Sequence, residues 1–164
     1  MSNFVETTMY QISQVFLMPT LALIAILFLY AFWVLGEFGV LALRRRSGAG
    51  RPLVSHFSKT PHLSSDELDV LAHKALEIPR IASRVTPMLG LVATMIPMGP
   101  ALKSLSDGIL AKVSDNLTVA FSAVILALIA ASITYWVVNV RRRWLAEELL
   151  EIESLRGVIL GAKA

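Results

Sequence analysis

Residues 116–140 read NLTVAFSAVILALIAASITYWVVNV, a run that contains no Asp, Glu, Lys, Arg or His and that ends against the three arginines of 141–143. At a rise of about 1.5 Å per residue, a helix of this length crosses a hydrocarbon layer of about 30 Å. Two further runs without charge, 15–36 and 85–102, have comparable length. We therefore interpret the chain as an all-α membrane protein with three transmembrane helices.

The basic residues predict the orientation of these helices. Eight Lys and Arg lie between the first and second runs and five follow the third, whereas none precedes Val15 and only two lie in the connection 103–115. Basic residues accumulate in the cytoplasmic loops of membrane proteins. We expect a multi-pass plasma (inner) membrane protein with its N-terminus outside and its C-terminus in the cytoplasm.

The composition excludes several classes of function. A hydrophobic fraction of 55%, a charged fraction of 16% and a mean hydropathy of +0.67 are typical of a chain surrounded by a lipid bilayer. Topology and anionic lipid account for the pI of about 9.5, and no nucleic-acid motif is present, so we expect no nucleic-acid partner. The chain has no Cys, and its three histidines, His56, His62 and His73, do not share a helical turn. We expect no metal site, cofactor, catalytic residue or enzymatic activity.

Outside the bilayer, the pattern predicts helices that continue the second and third crossings into the cytoplasm. Ser64-Ser65-Asp66-Glu67 is a capping box, so a helix begins there and runs into the second crossing with bends at Pro79 and Pro87. We predict four segments: an outside segment with the first transmembrane helix at 1–43, a cytoplasmic linker and helix at 44–84, the second and third transmembrane helices at 85–140, and a cytoplasmic C-terminal helix at 141–164.

The second and third crossings each have two different faces. Thr86, Gly90 and Thr94 share a small, weakly polar face of the second crossing, and the third crossing carries a packing face opposite Thr118 and Ser122. The packing face consists of alanines that let helix backbones approach closely: Ala123, Ala127, Ala130 and Ala131. Each hydroxyl can also bond the carbonyl one turn earlier, which needs no function. Neither crossing carries an Asp, Glu, His, Lys or Arg, so this chain alone cannot relay protons through side chains of these types.

Two segments resemble the MotA/TolQ/ExbB proton channel family. Residues 86–94 read TPMLGLVAT and are similar to the family's Pro-Leu-Leu-Gly-Leu-Leu-Gly-Thr run, in which Thr94 takes the place of a pore-facing Thr. Residues 127–139 read ALIAASITYWVVN and are similar to a third-helix run that ends at an Asn, here Asn139. Counting back from Asn139 places the family's second pore Thr on Val124 and its Glu on Val119.

The resemblance implies an ExbB/TolQ-like, three-crossing subunit that forms an oligomeric ring. In that family five copies surround a dimer of a single-crossing ExbD/TolR-like protein, whose membrane Asp carries the proton. The implied pore-lining residues include Val119 and Val124, which are apolar here: Thr94, Thr86, Gly90, Thr118, Ser122, Val124 and Val119.

Three hypotheses follow. The first is a ring-forming subunit of a motor that is driven by the proton-motive force and energises envelope transport or related work. The second is a non-conducting membrane scaffold that assembles a complex by helix packing. The third is a transporter component in which Pro97 and Pro100 break a helix at a binding site.

Overall fold

The described part of the chain is helical. The computed structural model describes residues 2–47, 51–59 and 65–161. Five helices occur there: α1 Ser2–Arg46, α2 Pro52–Lys59, α3 Ser65–Ala75, α4 Glu77–Ser106 and α5 Leu110–Gly161. The predicted all-α class is therefore confirmed.

Three helical segments are long and apolar enough to cross a membrane. They are Thr8–Arg46, Asp66–Ser106 and Leu110–Arg156, and each contains one of the three uncharged runs. The three crossings predicted from the sequence are confirmed on length and composition.

The chain divides into two compact units. The first unit comprises Met1–Phe32 and Ala82–Ile133. Its buried cluster takes Ile24 from α1, Ala93 from α4, and Ala123 and Ala127 from α5. Three of these four side chains are methyl groups, so the helices approach closely in a setting where apolar surface alone gives no drive for association.

The second unit comprises Trp33–Ile81 and Thr134–Ala164. Its core joins α2 and α3 to the later part of α5 through seven buried side chains: Leu53, Phe57, Leu68, Ala72, Leu76, Leu145 and Ile152. The face of α2 that carries Leu53 and Phe57 packs inward, whereas Ser55 and His56 are exposed. This unit is held together by ordinary apolar burial, in contrast to the first.

The helix before the second crossing is interrupted, which differs from the single bent helix that we predicted. α3 ends at Ala75, Leu76 forms a turn whose N–H donates to the carbonyl of His73, and α4 begins at Glu77. Pro79 has no N–H to donate to the carbonyl of Ala75, so an unbroken helix would lose that bond. In the first turn of α4 the missing N–H costs nothing. The predicted cap residue, Ser64, lies outside the described residues.

A buried carboxylate fixes the start of α2 to α5 in the second unit. Glu148 is 1% exposed; its Oε2 accepts a hydrogen bond of 2.8 Å from the N–H of Leu53, and its Oε1 accepts one of 3.1 Å from Arg45 Nη1. Arg45 also bonds Glu147, and Arg51 bonds Glu151 at 2.6 Å. Glu148 therefore satisfies an N–H at the beginning of α2 that no helix carbonyl can reach.

Burial raises the pKa of the Glu148 carboxyl above its ordinary value, although the hydrogen bond from Leu53 and the charge of Arg45 act in the opposite direction. Glu148 lies eight residues after Val140, about 12 Å beyond the uncharged run and outside the membrane-spanning segment. The folded chain therefore binds this proton more tightly than the unfolded chain does. The contribution of Glu148 to stability is full at low pH and is lost as pH rises through the raised pKa.

Replacing Glu148 with Gln removes this titration. We expect the stability of the wild type relative to Glu148→Gln to fall as pH rises from about 4, where a free glutamate titrates, through the raised pKa of Glu148. Thermal unfolding of the purified chain in detergent at several pH values measures the difference. The control is Glu147→Gln, which removes an exposed carboxylate that bonds the same Arg45. The assignment is contradicted if the stability of the wild type relative to Glu148→Gln stays constant or increases as pH rises.

Candidate channel-lining site

The small, weakly polar face of α4 is turned towards other helices of the same chain. Thr86 is 1% exposed and its hydroxyl donates to the carbonyl of Ala82 at 2.6 Å. At Gly90, an added Cβ would lie 2.8 Å from the Cβ of Ala127. The buried positions 86, 90, 93, 97 and 101 recur every three or four residues, as one helical stripe does. Thr86 and Gly90 therefore occupy a packing interface within the chain.

The contact at Gly90 also sets the register between α4 and α5. The added Cβ at Gly90 would lie near Ala127 and near the Cα of Val124, at 3.7 Å. These helices run antiparallel because a short connection, 107–109, joins them. Moving one turn forward along α4 therefore corresponds to moving one turn back along α5. Thr94, one turn after Gly90, is thus level with residues 120–123. Ser122 belongs to that turn, so two hydroxyl residues share one depth in the membrane.

The hydroxyl residues on the less buried faces are bonded to their own helices. The Thr94 hydroxyl donates to the carbonyl of Leu91 at 2.7 Å, and the Thr118 hydroxyl donates to that of Ser114 at 2.8 Å. Thr94 is half-buried, whereas Thr118 and Ser122 are exposed. A hydroxyl whose proton is engaged in this way still has an oxygen lone pair for a second partner.

The remaining candidate residues lie on α5. Val124 is half-buried beside Gly90, and Val119 is 43% exposed. All four alanines of the packing face are buried, and two of them belong to the core of the first unit: Ala123, Ala127, Ala130 and Ala131. The structure thus brings Gly90, Val124 and Ala127 together and leaves Val119, Thr118 and Ser122 on outer faces. Whether any of them lines a pore stays a prediction.

No metal site emerges within the described residues. No three His, Cys, Asp or Glu side chains among them are grouped so that they could hold an ion. His62 lies outside the described part of the chain.

Comparison with known families identifies what these helices belong to. The family model described as the MotA/TolQ/ExbB proton channel family matches residues 62–154, more than half of the chain. The chain belongs to this family. The match spans α4 and most of α5, which are the helices that carry both resembling segments. No curated protein and no solved structure matched the chain.

One polar contact of this MotA/TolQ/ExbB family protein was not evident from the sequence. Pro100 has no N–H, so the carbonyl of Ile96 loses its partner within α4. The side-chain amide of Gln14 on α1 donates to that carbonyl at 3.3 Å. A Gln just before an apolar run and a Pro in another helix are the signals in the sequence, and neither identifies the other.

Replacing Gly90 with Ala tests the close approach of α4 and α5. The new methyl would meet the Cβ of Ala127 at 2.8 Å, and we expect a loss of about 1–3 kcal/mol in the free energy of unfolding. The control is Gly39→Ala, because a Cβ at Gly39 meets nothing within 4 Å. Thermal unfolding in detergent measures both.

A second substitution separates crowding from other causes. Ala127→Gly removes the opposing methyl, so combining it with Gly90→Ala should recover most of the lost stability. Equal effects of Gly90→Ala and Gly39→Ala, or no recovery in the double variant, would show that Gly90 does not face Ala127.

Proposed function

We propose that this chain is the ring-forming subunit of a motor in the plasma (inner) membrane that the proton-motive force drives. Five copies surround a dimer of an ExbD/TolR-like, single-crossing protein, and the assembly energises envelope transport or related work. Membership of the MotA/TolQ/ExbB family and the three helices able to cross a membrane support this proposal. The chain acts as a channel subunit and not as an enzyme.

The orientation belongs to the same proposal. The N-terminus lies outside and the C-terminus lies in the cytoplasm, as the distribution of basic residues favours. α4 begins eight residues before Val85, and α5 runs to Gly161, well beyond Val140. The segments 44–84 and 141–164 are then the cytoplasmic part of each subunit.

One observation carries the proposal: the second and third crossings contain no group that can take up a proton. No Asp, Glu, His, Lys or Arg lies between Arg84 and Lys103, or between Asp115 and Arg141. A proton channel needs such a group. A subunit without one would conduct protons only together with a partner that supplies the group. An Asp in the partner's membrane helix meets this need.

The hydroxyls at the level of Thr94 fit a carboxyl group that changes its charge. Thr94 gives its proton to the carbonyl of Leu91, so its oxygen presents an acceptor. A protonated Asp donates a hydrogen bond to such an oxygen, whereas an ionised Asp receives no donor from it. The ionised form is therefore costly in this lumen and the neutral form is accepted.

The difference in free energy between the ionised and the neutral Asp lets proton flow bias the movement of the ring relative to the partner. The partner's Asp takes a proton from one side, passes the lumen in its neutral form and releases the proton on the other side. The membrane potential supplies about 2.3 kcal/mol per proton for each 100 mV. Thr94 and Ser122, which are level, are the residues that we place at the narrow part of this path.

A non-conducting scaffold is the second candidate. It is favoured by Val119 and Val124, because both occupy positions where the family resemblance implies polar residues. The buried Gly90–Ala127 interface would serve a scaffold as well as a motor. Proton flux through the isolated assembly distinguishes the two.

Replacing Thr94 with Val removes the acceptor and keeps the shape of the side chain. We expect proton flux to fall about tenfold, the value of one hydrogen bond of about 1.4 kcal/mol. The measurement uses vesicles reconstituted with the chain and the single-crossing protein that co-purifies with it. Thr94→Ser keeps the hydroxyl and is the control, with flux close to that of the wild type.

The outcomes decide between the candidates. Unchanged flux in Thr94→Val, with the assembly intact by native mass, removes Thr94 from the path. A wild-type assembly that has no single-crossing partner and no proton flux overturns the motor and leaves the scaffold.

A further inference from the structure

A cavity of about 210 Å³ in the second unit lies among α3, the first turn of α4 and α5. Its floor is apolar and belongs to the core of the unit, whereas charged side chains form its wall. The residues that line it are Asp69, Ala72, His73, Leu76, Arg80, Arg142, Leu145, Ala146 and Leu149. Its volume equals roughly seven water molecules at about 30 Å³ each, which is enough for a phosphate group.

The wall of the cavity carries an excess of positive charge. Arg80 and Arg142 contribute two guanidinium groups, and Asp69 is the only carboxylate among the lining residues. Asp69 lies beside His73, whose Nδ1 is 3.4 Å from Asp69 Oδ1. The guanidinium group is planar and presents several N–H donors, which suits the oxygens of a phosphate.

The two arginines lie at the depth of lipid headgroups. Arg142 is two residues after Val140, and Arg80 is five residues before Val85, so they lie about 3 Å and about 7.5 Å beyond the uncharged runs. The headgroup region of one leaflet is about 5–7.5 Å thick. A phosphate in the membrane surface is therefore at the right height for both.

Arg142 also differs from its neighbours in the ion pairs that it makes. Arg141 pairs with Glu37 at 3.2 Å, and Arg143 lies 3.8 Å from Glu147. Arg142 has no carboxylate within 4 Å in the part of the chain that the structure describes. Arg142 lines the cavity, where Asp69 is the one carboxylate among the lining residues.

We propose that this cavity binds the phosphate of an anionic phospholipid on the side of the membrane that carries the basic residues. Arg80 and Arg142 hold the phosphate from two helices, α4 and α5. The apolar floor accommodates the adjoining glycerol carbons. The bound lipid ties the start of the second crossing to the end of the third.

The test titrates the purified full-length chain in detergent with short-chain phosphatidylglycerol and follows its melting temperature. We expect the concentration that gives half of the stabilisation to rise about tenfold or more in Arg142→Gln and in Arg80→Gln, since each loses charge-assisted hydrogen bonds. The matched controls are Arg143→Gln and Arg84→Gln, whose side chains do not line the cavity. In these controls the concentration that gives half of the stabilisation should rise by no more than about fivefold. That is the effect of losing the diffuse attraction of one basic residue for an anionic lipid.

Native mass spectrometry supplies a second readout, because it counts the phosphatidylglycerol molecules that each variant retains. Melting without lipid shows whether a variant is folded, and Arg80→Gln and Arg142→Gln test the site independently of each other. Stabilisation of the wild type by phosphatidylcholine to the same extent, or equal losses in Arg142→Gln and Arg143→Gln, would overturn the proposal. Stabilisation by inorganic phosphate alone, without retained lipid, would also overturn it, because the ligand would then be a free anion.

Discussion

The close approach of α4 and α5 at Gly90 is the constraint on which the first unit depends. In lipid, apolar side chains gain little from meeting one another, and helices associate where small residues let many atoms touch. Gly90 against Ala127 is such a place. The same contact sets the register that makes Thr94 level with Ser122, so the geometry of the proposed path depends on how Gly90 packs against Ala127.

The second unit is built on different physics. It combines an apolar core around Leu68 and Ile152 with charges that position helices. Glu148 is a case of this kind, since it is buried yet accepts bonds from both Arg45 and the start of α2. One chain thus uses small uncharged residues in its first unit and paired charges in its second.

Much of the fold could be predicted from the sequence because it follows from length and charge. A run such as 116–140 has few alternatives to a membrane helix, and the helical period identifies a face that contains Thr86 and Gly90. The period does not reveal that Thr86 and Gly90 pack against helices of the same chain, because that contact depends on tertiary structure. The burial of Glu148 could not be predicted because neighbouring glutamates in the sequence are exposed. Only the position of α2 in the folded chain distinguishes Glu148 from them. Pairing of Gln14 with Ile96 likewise depends on tertiary structure.

The bond from Gln14 to the carbonyl of Ile96 ties the integrity of the second crossing to residues upstream of the first. Hydrocarbon contains no molecule able to take over the role of that amide. Trimming the polypeptide from its beginning beyond position 14 would leave the uncharged run 15–36 whole and still expose a bare oxygen next to Pro100. Gln14 thus stabilises a helix that is distant in the sequence. Truncations chosen from hydropathy alone would remove this contact.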